Sequence, residues 1–179
     1  MATTYEAIAT VSVGSGGAAT FGFTSIPATF TDLLILASVR SDRPSNSIDN
    51  GWVYFNGDTT SGNYTKRRLW GDGSAVYSAT TYDLDYYCPG STATASTFGN
   101  LYYYIANYAG SNNKSFSVDS SQENNATIAI NNFTAGLWSS SSAITSITFD
   151  LITAVLFNTQ ALPFTESRTH KEKQCQQNS

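Results

Sequence analysis

Apolar positions in this chain come in short runs separated by polar turns, the pattern of β-strands rather than helices. Residues 5–13 are rich in β-formers and end at Gly14-Ser15-Gly16-Gly17. Thr20-Phe21-Gly22-Phe23-Thr24 alternates and stops at Ile26-Pro27. Within residues 32–39, Leu33-Leu34-Ile35-Leu36-Ala37 is apolar without a break. It is too short for a lone helix and is bounded by turn residues, which predicts a central strand buried on both faces. Residues 41–50 read as a polar loop and Trp52-Val53-Tyr54-Phe55 as a strand. Asn56-Gly57-Asp58 then opens a turn, because Asn and Gly adopt positive φ at little cost.

Residues 66–70, then Gly71-Asp72-Gly73, then Ala75-Val76-Tyr77 predict a β-hairpin with glycines in its turn. Residues 82–87 alternate. That predicts a strand with Tyr82, Leu84 and Tyr86 on the core face and Asp83 and Asp85 on a solvated one. Residues 89–97 form a loop of small side chains, and residues 98–109 carry the longest aromatic stretch, Leu101-Tyr102-Tyr103-Tyr104-Ile105. Strands over residues 115–118, 126–130 and 144–149 complete the set. The spacing is roughly 8–14 residues per strand, with no βαβ alternation and no internal repeat. The expected fold is all-β, an antiparallel β-sandwich with a jelly-roll-like arrangement.

Composition narrows the class. A chain of 179 residues is one domain's worth, with enough length to bury a core unaided. Charged residues are 12%, about half the roughly 25% of an average soluble protein, while Ser, Thr and Asn fill 61 of the 179 positions. Aromatics at 13% argue against disorder, and the shortage of Glu, Lys and Arg argues against a helical bundle. A net charge of −4 without a basic patch argues against nucleic acid. The densest basic run, Lys66-Arg67-Arg68, reads as a solvated face. No apolar stretch is long enough for a membrane-spanning helix. The first residues lack the features of a signal peptide, so synthesis in a cytoplasm is expected, with Cys88 and Cys175 as free thiols.

Catalytic equipment is sparse. The single imidazole is His170, and no nucleophile elbow, Walker loop or dinucleotide fingerprint is present. Structural zinc takes about four Cys or His ligands, and the chain has three such residues in all, so no metal and no cofactor are expected. Asn56, Asp58 and Thr60 have the spacing of some Ca²⁺ loops but lack the later bidentate Glu, and read as a turn. Asp83 and Asp85 are the one carboxylate pair with a separation suited to a glycosidase. Tyr and Trp suit wet interfaces, having an apolar body and a hydrogen-bonding tip. Trp52, Trp70, Tyr82, Tyr86 and Trp138, together with Tyr54, Tyr102 and Tyr104, are candidates for glycan or subunit contacts.

The end of the chain departs from the rest. Residues 1–149 contain 16 charges and no His, whereas residues 166–173 hold five charges and His170. The expected organisation is a β-sandwich domain over 1–150 and an anomalous, partly disordered segment over 151–179.

Several blocks resemble small structural proteins of marine tailed bacteriophages. They are residues 20–33, from Thr20-Phe21-Gly22-Phe23 to Asp32-Leu33; Val53-Tyr54-Phe55-Asn56-Gly57-Asp58; Ile105-Ala106-Asn107-Tyr108-Ala109 with Lys114; and Trp138 followed by Ala143-Ile144-Thr145-Ser146-Ile147. They occur in the same order and cover roughly residues 1–150. Such proteins end in a segment like S-T-A-x-L-Y-G-I, where this chain has Gln160-Ala161-Leu162-Pro163-Phe164-Thr165-Glu166-Ser167. Codons for these residues, read with the third base of each joined to the first two of the next, can spell S-T-A-L-Y-G-I, and His170-Lys171 further on allows a stop. The resemblance therefore implies that residues from about Leu151 are out of frame relative to the family, which the gene sequence tests directly.

The resemblance implies a virion structural protein without catalytic residues, on a tail fibre or tail tip, made in the host bacterial cytoplasm. Binding to host-surface glycans is expected, as are contacts with other virion proteins and self-association, as a trimer by analogy with fibres. The alternatives are a capsid head-decoration protein and, from a different class, a carbohydrate-active enzyme using Asp83 and Asp85.

Overall fold

Side chains alternate across a β-pleat, and burial in the long strands follows that period, for example at Lys114–Gln122 and Ile130–Trp138. These strands belong to a computed structural model that describes residues 5–81, 84–125, 128–151, 156–157 and 160–166. No α-helix occurs among the described residues.

Two antiparallel sheets form a sandwich. The larger has the order β1 (Tyr5–Ala7), β14 (Gln160–Glu166), β4 (Leu33–Ser41), β9 (Gly99–Ile105), β10 (Lys114–Gln122), β11 (Ile130–Trp138), β6 (Tyr64–Gly71), β7 (Val76–Thr81). In the same sheet β2 (Val11–Ser12) pairs with β14, and β13 (Leu156–Phe157) with β4. The smaller sheet has the order β3 (Thr20–Phe23), β12 (Ile147–Leu151), β5 (Ile48–Phe55), β8 (Tyr86–Pro89). The expected sandwich is present. The large sheet contains the meander β9-β10-β11, and its strand order does not establish a jelly roll.

The core lies between the sheets and centres on Phe55, which is fully buried. Its ring meets Phe116 and Trp138 edge-on, each with centroids 5.5 Å away, and Tyr103 at 6.2 Å. Gly51 has a packing role: it pairs with Tyr86, and a Cβ there would collide with the Tyr86 ring and the Asp150 carbonyl. The Asn56-Gly57 turn forms as expected, with φ of 53° and 70°. Asn56 also clips this turn to a distant loop. Its Oδ1 accepts from Thr145 N at 2.8 Å, and its Nδ2 donates to Ala143 O at 2.8 Å.

Four expectations need correction. Residues 41–50 are not wholly a loop, since β4 runs through Ser41 and β5 starts at Ile48. Polar Asp49 stays in the strand because it is buried and paired with Arg43 at 3.2 Å. Residues 84–86 do not alternate: Leu84, Asp85 and Tyr86 are buried in succession, and Asp85 is tied to β5 through its N–H to Gly51 O and its carboxylate to Val53 N. Tyr82 and Asp83 lie outside the described residues. The strand after residue 126 begins at Ile130 and continues to Trp138, through Asn131-Asn132. Finally, Lys66-Arg67-Arg68 is not a solvated face. Strand alternation turns Arg67 outward, and leaves Lys66 and Arg68 only 2% and 8% exposed.

The large sheet extends into the segment of unusual composition. Strand β14 pairs with β4 from Leu34↔Phe164 to Ala37↔Ala161, and with β1 from Tyr5↔Glu166 to Ala7↔Phe164.

A candidate ligand cleft at the seam of the sandwich

Strand β5 has β8 along one edge only as far as Gly51. Beyond that point side chains take over the role of a strand. Val53 N donates to Asp85 Oδ2 at 2.8 Å, and Phe55 N donates to Tyr64 Oη at 3.0 Å. Tyr64 Oη in turn donates to Asp58 O at 3.0 Å. These bonds meet the requirement that buried backbone donors be paired. They also leave a seam between β5 and β6 that no strand closes.

Behind the seam sits an ionic cluster. Lys66 Nζ lies 2.7 Å from Asp85 Oδ2, and the two side chains are 2% and 0% exposed. The Asp85 backbone is anchored as well: its N–H donates to Gly51 O, and its carbonyl accepts from Asn132 Nδ2 at 3.1 Å and Thr134 Oγ1 at 3.2 Å. Burial pushes the Asp85 carboxyl up from its ordinary value, against the downward pull of Lys66. Burial likewise raises Tyr103 well above a normal phenol, and the Asp85 carboxylate adds to that. Arg68 closes the cluster, with Nε donating to Asn132 Oδ1 at 3.2 Å and a terminal nitrogen to Tyr87 Oη at 2.7 Å.

In front of the cluster lies a cleft of about 170 Å³, lined by Trp52, Tyr54, Thr59, Ser61, Tyr64 and Lys66. Its aromatic walls are close, with Trp52 and Tyr54 centroids 6.2 Å apart and Tyr54 edge-on to Tyr64 at 6.5 Å. Trp52 and Tyr54 reach it because they occupy outward positions of β5, while Val53 and Phe55 point into the core. Trp52 Nε1 is buried and has no hydrogen-bond partner among the described residues. Thr59 and Ser61 supply exposed hydroxyls from the β5–β6 loop. Two aromatic walls and loop hydroxyls suit a small polar ring compound with apolar faces.

Searches of protein-family models, curated proteins and solved structures found no match.

The candidate aromatics separate by position. Of the described candidates, Trp52 and Tyr54 line the cleft. Tyr86 and Trp138, 0% and 2% exposed, belong to the core and present no face to a ligand. Trp70 lies at the far end of β6, stacked on Tyr77 at 5.3 Å with the Arg68 guanidinium 4.5 Å from its ring. Tyr82 is outside the described residues. Asp85 is buried and ion-paired instead of standing on a solvated face beside Asp83. Among the described residues, no group of three or more His, Cys, Asp or Glu is placed to hold a metal. Sequence reasoning missed Tyr64, Lys66, Thr59 and Ser61. The available signal was strand parity: Tyr64, Lys66, Arg68 and Trp70 share one face of β6, so two aromatics bracket the two cations.

Asp58 fixes the loop that carries Thr59 and Ser61. Its Oδ2 accepts from Trp138 Nε1 and Asn63 Nδ2, both at 2.8 Å, and its Oδ1 from Thr60 N at 3.0 Å. The Trp138 hydrogen bond is the main reason its pKa falls from 3.8 to about 2, with burial opposing. A depressed carboxylate stabilises the fold above its unfolded value, and that contribution is lost as pH falls through the folded value. Acid unfolding followed by Trp fluorescence is therefore expected to show a stability loss between 3.8 and about 2 that Asp58→Asn reduces. An unchanged acid profile in the variant would show that Asp58 contributes nothing to it.

Proposed function

We propose that the chain is a non-catalytic structural component of a tailed-phage virion, at the tail fibre or tail tip, whose seam cleft takes one sugar ring of a host-surface glycan. The cleft carries the glycan part of this reading, because it joins the Trp52 and Tyr54 faces to the Thr59 and Ser61 hydroxyls. Its volume of about 170 Å³ lies below the roughly 300 Å³ lower end for drug-sized ligands, so a single ring fits better than an extended chain. Such a site binds weakly alone and gains strength from many copies on one particle. The virion part rests on the resemblance of ordered sequence blocks to phage structural proteins, and on a composition that is polar with little charge. A head-decoration role would use the same fold without the cleft.

The test is saturation-transfer NMR with purified host polysaccharide, alongside electron microscopy of antibody-labelled particles. Trp52→Ala is expected to weaken binding about tenfold, equivalent to about 1.4 kcal/mol. Thr59→Ala with Ser61→Ala, both at exposed loop positions, is expected to weaken it in the same direction without lowering thermal stability. Equal binding by all three proteins would remove the cleft as the site. Label on the head would move the protein to the capsid, and shortened polysaccharide would overturn the non-catalytic reading.

A further inference from the structure

The outward face of the large sheet carries a second surface, separate from the cleft. Cross-strand register places Leu36, Tyr102, Asp119, Phe133 and Leu69 in one row across β4, β9, β10, β11 and β6. At roughly 4.8 Å between strands the row is about 19 Å wide. Tyr102, Phe133 and Leu69 are 42%, 52% and 50% exposed, an unusual concentration for a sheet face open to water. Some of the adjoining outward positions are small: Ser117 and Ala135 on one side, between Tyr104 and Arg67, and Ser121 on the other. The result is a ridge beside two shallow hollows of about 430 and 520 Å³, which share Tyr102 and Asp119 in their linings.

Charge indicates what covers this face. From β9 to β7 the outward positions carry two charged side chains, Asp119 on β10 and Arg67 on β6, one on each side of β11. The chain as a whole is at −4, whereas this region is balanced. Two copies laid face to face about a two-fold axis in the sheet plane can set Asp119 of each over Arg67 of the other. The symmetry that forms one pair forms both. Phe133 and Ala135 then lie near the axis.

We infer that this face is a two-fold interface with a second copy of the same chain, closed by reciprocal Asp119–Arg67 pairs around Phe133. Analytical ultracentrifugation of the full chain tests it. The expected mass is twice the 19.3 kDa of the chain. Asp119→Arg alone places like charges together at both symmetry-related positions, and Arg67→Asp alone does the same with the opposite sign. Each is expected to weaken the dimer at least tenfold. The two combined restore the pairs with reversed polarity and are expected to return the dimer. Both positions are exposed, so circular dichroism should show unchanged folding. A monomer, a trimer, or a dimer indifferent to the charge exchanges would each overturn the inference, as would loss of polysaccharide binding on Phe133→Ser in a protein monomeric throughout.

Discussion

Lys66→Met is expected to destabilise the protein by about 3–5 kcal/mol at neutral pH, because it strands a buried carboxylate without its cation. Asp85 is 0% exposed, and its Oδ1 has no hydrogen-bond partner among the described residues. Methionine fills nearly the same space, so the loss is electrostatic rather than a cavity. Removing Lys66 also removes the pull that opposes desolvation, and the Asp85 carboxyl moves further above its ordinary value. A group whose folded pKa is raised favours folding fully below its unfolded value and loses that contribution as pH rises through the folded value. The penalty should therefore shrink as pH is lowered, measured by urea unfolding at neutral and mildly acidic pH. Adding Asp85→Leu should recover part of the loss, since a buried pair replaced by apolar residues is often close to neutral. A penalty independent of pH and unrelieved by the second change would mean that the charge is not its source.

Phe55→Ala should cost a similar amount, about 3–5 kcal/mol, for a different reason. Its ring is fully buried and touches aromatic rings carried by β6, β9, β10 and β11, so it links the two sheets at one point. Truncation leaves a cavity whose walls are large, rigid rings that close poorly around it. Calorimetry should show a fall in Tm of about 10–15 °C. Val76→Ala, at a site 74% exposed, should stay within about 0.5 kcal/mol. Similar losses at the two positions would show that Phe55 is not the hub of the core.

Local signals carried most of the strand content. The hairpin over β6 and β7, the buried run in β4 and the Asn56-Gly57 turn were legible because each depends on neighbouring residues alone. Reading failed where tertiary partners override local pattern. Asn131 and Asn132 sit inside β11, and Asn132 is buried because the Asp85 carbonyl and Arg68 use both ends of its amide. Lys66 and Arg68 looked like surface charges because nothing nearby in sequence shows the carboxylate of Asp85 or the phenol of Tyr87 waiting inside. Of the cleft, Trp52 was legible as an aromatic at an outward strand position. Tyr64 was not, because its role at the seam comes from where β5 loses its neighbour.

The place of β4 sets a timetable for folding. This apolar strand pairs along one edge with β9, where Leu34 faces Tyr104, and along the other with β14, where Leu34 faces Phe164. A ribosome releases β4 well before either of the strands that flank it, β9 and then β14. Until then this apolar strand has two unsatisfied edges. Non-local pairing of this kind places spontaneous folding toward the millisecond-to-second end of the range for small domains. Each nascent chain therefore presents an open, apolar strand edge to its siblings until its closing strand arrives.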